Sequence, residues 1–145
     1  MKLRRIDHVG IIVNDLPAAK AFFLALGFEM MGEGIVEGEW AERIIGLQSV
    51  KSEVVMLQTP DGEQRIELSK FHSPTDENGI QHPLANTLGI RHICFAVEEL
   101  EALLTKLETH GAELIGEIQT YENTYKLCYI RGPEGIILEL AEQIN

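Results

Sequence analysis

The stretch Arg5-Ile6-Asp7-His8-Val9-Gly10-Ile11-Ile12-Val13 decides how the rest of the chain is read. It alternates polar or small residues with branched apolar ones, the period-two pattern of a half-buried strand. His8, Gly10 and Ile12 share one face; Val9, Ile11 and Val13 share the other. A helical pattern follows from Leu16 to Leu26 and stops at Gly27. The same order then recurs. Gly89-Ile90-Arg91-His92-Ile93-Cys94-Phe95-Ala96-Val97 reads as a strand, and a helical pattern runs from Glu99 to His110 before Gly111. His8 and His92, Val13 and Val97, Leu16 and Leu100, Gly27 and Gly111, Gly32 and Gly116, and Glu33 and Glu117 are all 84 residues apart. Agreement across strand, helix and stop marks an internal repeat, and the repeat sets the architecture.

In the first copy, Asp15 is the N-cap candidate and Pro17 suits the first helical turn. Strands are expected over 28–36, 50–58 and 64–71, with a short helical turn carrying Trp40, Ile44 and Ile45 between the first two. Thr59-Pro60-Asp61-Gly62 is a tight reversal. In the second copy strands are expected over 112–118, 125–131 and 136–141, with Gly132-Pro133-Glu134-Gly135 as the matching turn. Pro60 and Pro133 are 73 apart and Glu67 and Glu139 are 72 apart, so the first copy holds an insert, assigned to the Trp40 segment. Each copy reads as βαβββ. The chain is thus expected to be one α+β domain over 1–145, with module 1 at about 4–71, a linker at 72–88 and module 2 at about 89–142. The linker, rich in Pro and Asn, has the composition of a flap over a site.

Composition narrows the function. At 145 residues, 45% hydrophobic and 24% charged, the chain is an ordinary globular protein. A net charge of −11 repels phosphate backbones and anionic lipid, which excludes nucleic acid and membrane as expected partners. No apolar run reaches the ~20 residues of a membrane span. Cys94 and Cys128 lie inside strand patterns with no paired spacing, so both are read as free thiols in a reducing cytoplasm.

Alternation sends Ile66, Leu68, Leu138 and Leu140 to the helix-covered face, and Glu67 and Glu139 to the face that carries His8 and His92. A lone strand histidine is usually just hydrogen bonded. Two histidines and two carboxylates at matched places in a repeat form a divalent-metal ligand set, suited to Zn, Mn, Fe, Co or Ni. Cys94 shares the His92 face, which puts it in reach of the site, but it reads first as a small buried thiol. His72, His82 and His110 fall outside the repeat and read as surface residues. Trp40 and Phe71 are candidate pocket residues, and Lys126 and Arg131 candidate contacts for an anionic substrate group.

The Asp7-His8-Val9-Gly10 opening, the Arg91-His92-Ile93-Cys94-Phe95 opening, the Pro-acidic-Gly turns and the closing Ile66-Glu67-Leu68 and Leu138-Glu139-Leu140 together resemble the vicinal-oxygen-chelate superfamily, the glyoxalase/bleomycin-resistance/extradiol-dioxygenase fold. The resemblance spans nearly the whole chain. It implies two βαβββ modules forming a cleft around one divalent ion, a small-molecule substrate and a homodimer, with His8, Glu67, His92 and Glu139 at the metal-holding positions. It implies a glyoxalase I-like lyase or isomerase that stabilises an enediolate or enolate, with Glu67 or Glu139 moving the proton. A methylmalonyl-CoA epimerase-like isomerase is an alternative, although members of that type commonly carry Gln where this chain has Glu67. An extradiol dioxygenase uses two His and one carboxylate, and a fourth ligand crowds its oxygen site. A bleomycin-resistance-like binding protein has no need of the four ligands.

Overall fold

The computed structural model describes residues Met1–Asn145. The chain forms two compact units, Met1–Glu77 and Asn78–Asn145, divided within the Pro- and Asn-rich segment at 72–88. No helix is long and apolar enough to cross a membrane.

The first unit runs β1 (Val9–Ile12), α1 (Leu16–Leu26), β2 (Glu29–Glu37), α2 (Glu39–Ile45), β3 (Lys51–Gln58) and β4 (Arg65–Ser73). Its sheet order is β1-β4-β3-β2. β1 runs parallel to β4, with Gly10 opposite Glu67, and the other pairs are antiparallel. The second unit runs β5 (His92–Val97), α3 (Leu100–Glu108), β6 (Glu113–Tyr121), β7 (Tyr125–Arg131) and β8 (Ile137–Gln143). Its order, β5-β8-β7-β6, repeats the first, and β5 runs parallel to β8 with Cys94 opposite Glu139. α2 is the insert of the first copy. The architecture is α+β, two tandem βαβββ modules, as the repeat requires.

Burial follows the faces expected from alternation. Ile11, Val13, Ile66, Leu68, Val55 and Leu57 are buried with Leu16, Ala19, Phe22 and Phe23 of α1. The rings of Phe22, Phe23 and Phe28 meet edge to face at 5.4 and 5.9 Å. Each such burial contributes roughly 1.5–3 kcal/mol. In the second unit Leu100, Leu104 and Leu107 of α3 are buried with Ile130, Leu138 and Leu140.

The two helices begin differently. Asp15 Oδ1 accepts from Ala18 N at 3.1 Å, the cap expected for α1. Glu99, at the matching place, has φ 52° and makes no side-chain cap. Glu142, from β8, supplies it: its carboxylate accepts from Glu99 N at 3.0 Å and Leu100 N at 3.1 Å. β6 extends to Tyr121, beyond the expected 118, because Glu122 and Asn123 both take positive φ (50° and 53°). Two such residues make the hairpin turn that matches strand twist, and it pairs Tyr121 with Tyr125. The first strands are shorter than expected. His8 lies just ahead of β1, and 89–91 lie ahead of β5, where Arg91 binds the carbonyls of Thr87 and Leu88.

Candidate metal centre

Each unit brings one histidine and one glutamate together on the sheet face that no helix covers. In the first unit His8 Nε2 stands 3.8 Å from Glu67 Oε2. The other ring nitrogen, Nδ1, is 2.8 Å from Asp7 Oδ2. A carboxylate only accepts, so Nδ1 carries the proton and the Nε2 lone pair is left facing Glu67. That hydrogen bond to His8 holds the Asp7 carboxyl below its ordinary value, helped by the charges of Arg65 and Arg5. A carboxylate behind a ligating imidazole is the arrangement that fixes tautomer and ring orientation at metal sites. The role of Asp7 was not read from the sequence beyond its place in the opening motif; its signal is that it immediately precedes His8. Gly10, opposite Glu67, leaves open space, since a Cβ there meets nothing within 4 Å.

In the second unit His92 Nε2 is 3.2 Å from Glu139 Oε1. Tyr129, in register with Glu139 on β7, brings its hydroxyl to 3.4 Å from the same nitrogen and its ring to 4.9 Å from the imidazole. Burial raises the Tyr129 pKa, and the negative Glu139 and the neighbouring Cys94 raise it further, so the phenol keeps its proton. Cys94 corrects the expectation of a buried thiol. It is exposed, and β5–β8 pairing sets it opposite Glu139. Partial desolvation of the sulfur raises its pKa most, then the charge of Glu139 and the hydrogen bond its thiol gives that carboxylate. The repeat is therefore chemically unequal. Asp7, Gly10 and Met56 of the first unit occupy the positions that Arg91, Cys94 and Tyr129 occupy in the second, and the Arg91 guanidinium is bound to Thr87 and Leu88.

The donor chemistry fits a divalent ion. Two ligands at ~2.0–2.2 Å from one ion, subtending ~90–109°, lie ~2.8–3.6 Å apart. His92 and Glu139 already have that spacing, and His8 and Glu67 are a few tenths of an ångström wider. Within neither unit do three His, Cys, Asp or Glu side chains gather with the geometry to hold an ion.

The other candidates are distributed unevenly. Phe71 is half-buried on β4, on the Glu67 face. Trp40 lies on α2 and is 60% exposed. Arg131 shares the Tyr129 face, and its guanidinium donates to Gly135 O at 2.9 Å. Lys126 alternates to the helix-covered face, where its ammonium pairs with Glu101 at 2.8 Å and Glu142 at 3.8 Å. It is thus directed away from His92 and Glu139. His72 pairs with Glu53 at 3.0 Å, and His82 packs on Gly135.

Known proteins are similar to this chain along nearly its whole length. A glyoxalase family protein from Bacillus cereus superposes with a TM-score of 0.96 at 46% identity, covering 100% of this chain and 97% of that one. The Bacillus subtilis (strain 168) protein YwbC is 30% identical over 142 residues, 97% of this chain and 98% of YwbC. The Escherichia coli (strain K12) protein YaeR is 29% identical over 143 residues, 97% and 98% of the two chains. The fosfomycin resistance protein FosX of Listeria monocytogenes shares the fold, with a TM-score of 0.62 at 18% identity over 96% of this chain and 93% of FosX. The family model of the Glyoxalase/Bleomycin resistance protein/Dioxygenase superfamily matches residues 5–140. That superfamily includes many enzymes, typically binds a divalent metal and commonly forms dimers. With nearly its whole length matched, the chain belongs to the Glyoxalase/Bleomycin resistance protein/Dioxygenase superfamily.

Proposed function

We propose that the protein is a metal-dependent, glyoxalase I-like lyase or isomerase, and that His8, Glu67, His92 and Glu139 are its metal ligands. The observation that carries this reading is the ligand-like spacing of His92 and Glu139, repeated at matched positions by His8 and Glu67. Imidazole with carboxylate suits Zn, Ni, Co, Mn or Fe. A bound divalent ion supplies Lewis-acid polarisation of two neighbouring substrate oxygens, which acidifies the adjacent C–H. Glu67 is assigned the proton transfer. Its Oε1 has only a 3.4 Å contact with Ser69 Oγ, and Gly10 leaves room beside it. Glu139 is the anchored carboxylate, only 16% exposed and bound by both the Cys94 thiol and His92. Tyr129, kept neutral, is a hydrogen-bond donor on the same face.

Elemental analysis of the purified protein, followed by a screen against hemithioacetals and acyl-CoA thioesters, tests the proposal. The expected result is a stoichiometric divalent ion and turnover of a hemithioacetal. Glu67→Gln keeps a donor oxygen but cannot take the proton, so kcat should fall by roughly 10²–10⁴-fold. Failure to retain any of the five metals overturns the reading in favour of a metal-free binding role. The assembly we propose is a homodimer, supported by Met30, Met31 and Ile35 exposed along the edge strand β2. A mass of 16.2 kDa by light scattering at micromolar concentration would exclude it.

A further inference from the structure

We propose that the open face of the second unit holds a subsite for the substrate's tail, and that it selects a neutral or cationic hydrogen-bonding tail over an anionic one. The proposal rests on the reading of His92 and Glu139 as ligands for the substrate's head. A cavity of about 820 Å³ is lined by Ala96 at the end of β5, Ala141 and Gln143 of β8, and Tyr125 of β7. Strand alternation puts all four on the face that carries His92, Cys94, Glu139 and Tyr129. Val97, Glu98, Ile144 and Asn145 complete its lining, so the cavity sits at the end of β5 and β8, on the strands that carry His92 and Glu139. At ~3.4 Å per residue, Ala141 lies ~7 Å and Gln143 ~13 Å along β8 from Glu139. That is the reach of a short chain attached to a head held at Glu139.

The walls define what fits. Ala96 and Ala141 are register partners, and their small side chains form the floor. Tyr125 and Gln143 add a phenol and an amide. The one charged side chain is Glu98, which immediately follows β5. No cation lines the cavity. Lys126 is on the opposite face, engaged by Glu101 and Glu142, and Arg131 is at the far end of β7, bound to Gly135. An anionic tail meets a carboxylate and no counter-charge here, whereas an ammonium or hydroxyl finds an acceptor. The selectivity runs against coenzyme A-like polyanions.

The test uses zinc-loaded protein and hydroxamates, whose two adjacent oxygens chelate metal. Acetohydroxamate reports the head alone; hexanohydroxamates ending in a primary ammonium, hydroxyl or carboxylate report the tail. By calorimetric titration, the first two tails should bind at least about tenfold more tightly than the carboxylate. Glu98→Lys should reverse the order. Ala96→Leu should weaken all tailed probes and leave acetohydroxamate unchanged. Equal affinity for all three tails, unmoved by both variants, overturns the subsite. A second arm needs no metal: hexylammonium should shift the amide NMR signals of Ala96, Ala141 and Gln143, and hexanoate should not. If neither ligand shifts them, the subsite is overturned even where hydroxamates bind. If acetohydroxamate fails to bind, the metal reading falls alone, and the metal-free arm still decides the subsite.

Discussion

Replacing Glu142 with Ala should destabilise the protein more than removing the first helix's own cap, although Glu142 lies in a strand far along the chain. Asp15 accepts the Ala18 backbone N–H at 3.1 Å, in solvent, and replacing this N-cap in Asp15→Ala should cost about 1 kcal/mol. Glu142 accepts two, at 3.0 and 3.1 Å, and one belongs to the fully buried Leu100. Hydrogen bonds to a charged group contribute about 1.5 kcal/mol each at the low end, and a carboxylate at a helix N-terminus adds a few tenths. The ion pair with Lys126 at 3.8 Å adds almost nothing, because Lys126 keeps Glu101 at 2.8 Å. The expected loss for Glu142→Ala is therefore about 3 kcal/mol. Glu142→Gln keeps one acceptor oxygen and should lose about half of that. Urea unfolding followed by circular dichroism measures all three. If Glu142→Ala costs no more than Asp15→Ala, α3 does not depend on this remote cap and the reasoning is refuted.

His92→Ala should lower zinc affinity by orders of magnitude while the urea midpoint stays near that of the parent, because the core packs on the opposite face; competition with a chromophoric chelator reads the first and unfolding the second. Asp7→Asn should weaken zinc binding by about 10–100-fold in the same assay, as the His8 ring loses the partner that sets its tautomer; unchanged affinity removes Asp7 from the site. Asp61 holds the β3–β4 turn, accepting from Thr59 Oγ1 at 2.6 Å and Glu63 N at 2.9 Å, and these bonds lower its pKa from 3.8. Its contribution to stability is present above pH 3.8 and is lost as pH falls through the lowered value, so Asp61→Asn should flatten the acid limb of a stability–pH profile.

Much of this protein is legible in one dimension because its determinants are local. Period-two alternation placed His8 and His92 opposite Val9, Ile11 and Ile93, and burial follows those faces. Asp15, Gly27 and the Pro-acidic-Gly turns set element ends through contacts a few residues apart, and the repeat carried the first unit's plan onto the second. A pattern of faces does not say which neighbouring strand a residue meets, or at what register. The Cys94 thiol reads as buried from its apolar neighbours, yet pairing of β5 with β8 sets it in the open beside Glu139. Lys126 reads as a free cation until alternation along β7 carries it under α3, to Glu101 and Glu142. Tyr129 gives no sequence signal, because only the β7–β8 register brings it to His92. The sequence by itself determined the βαβββ repeat and the faces of its strands, since both depend on spacing along the chain. Only the tertiary structure decided the company each donor keeps, because hydrogen bonds and charges act over ~3–4 Å between strands that the sequence holds dozens of residues apart.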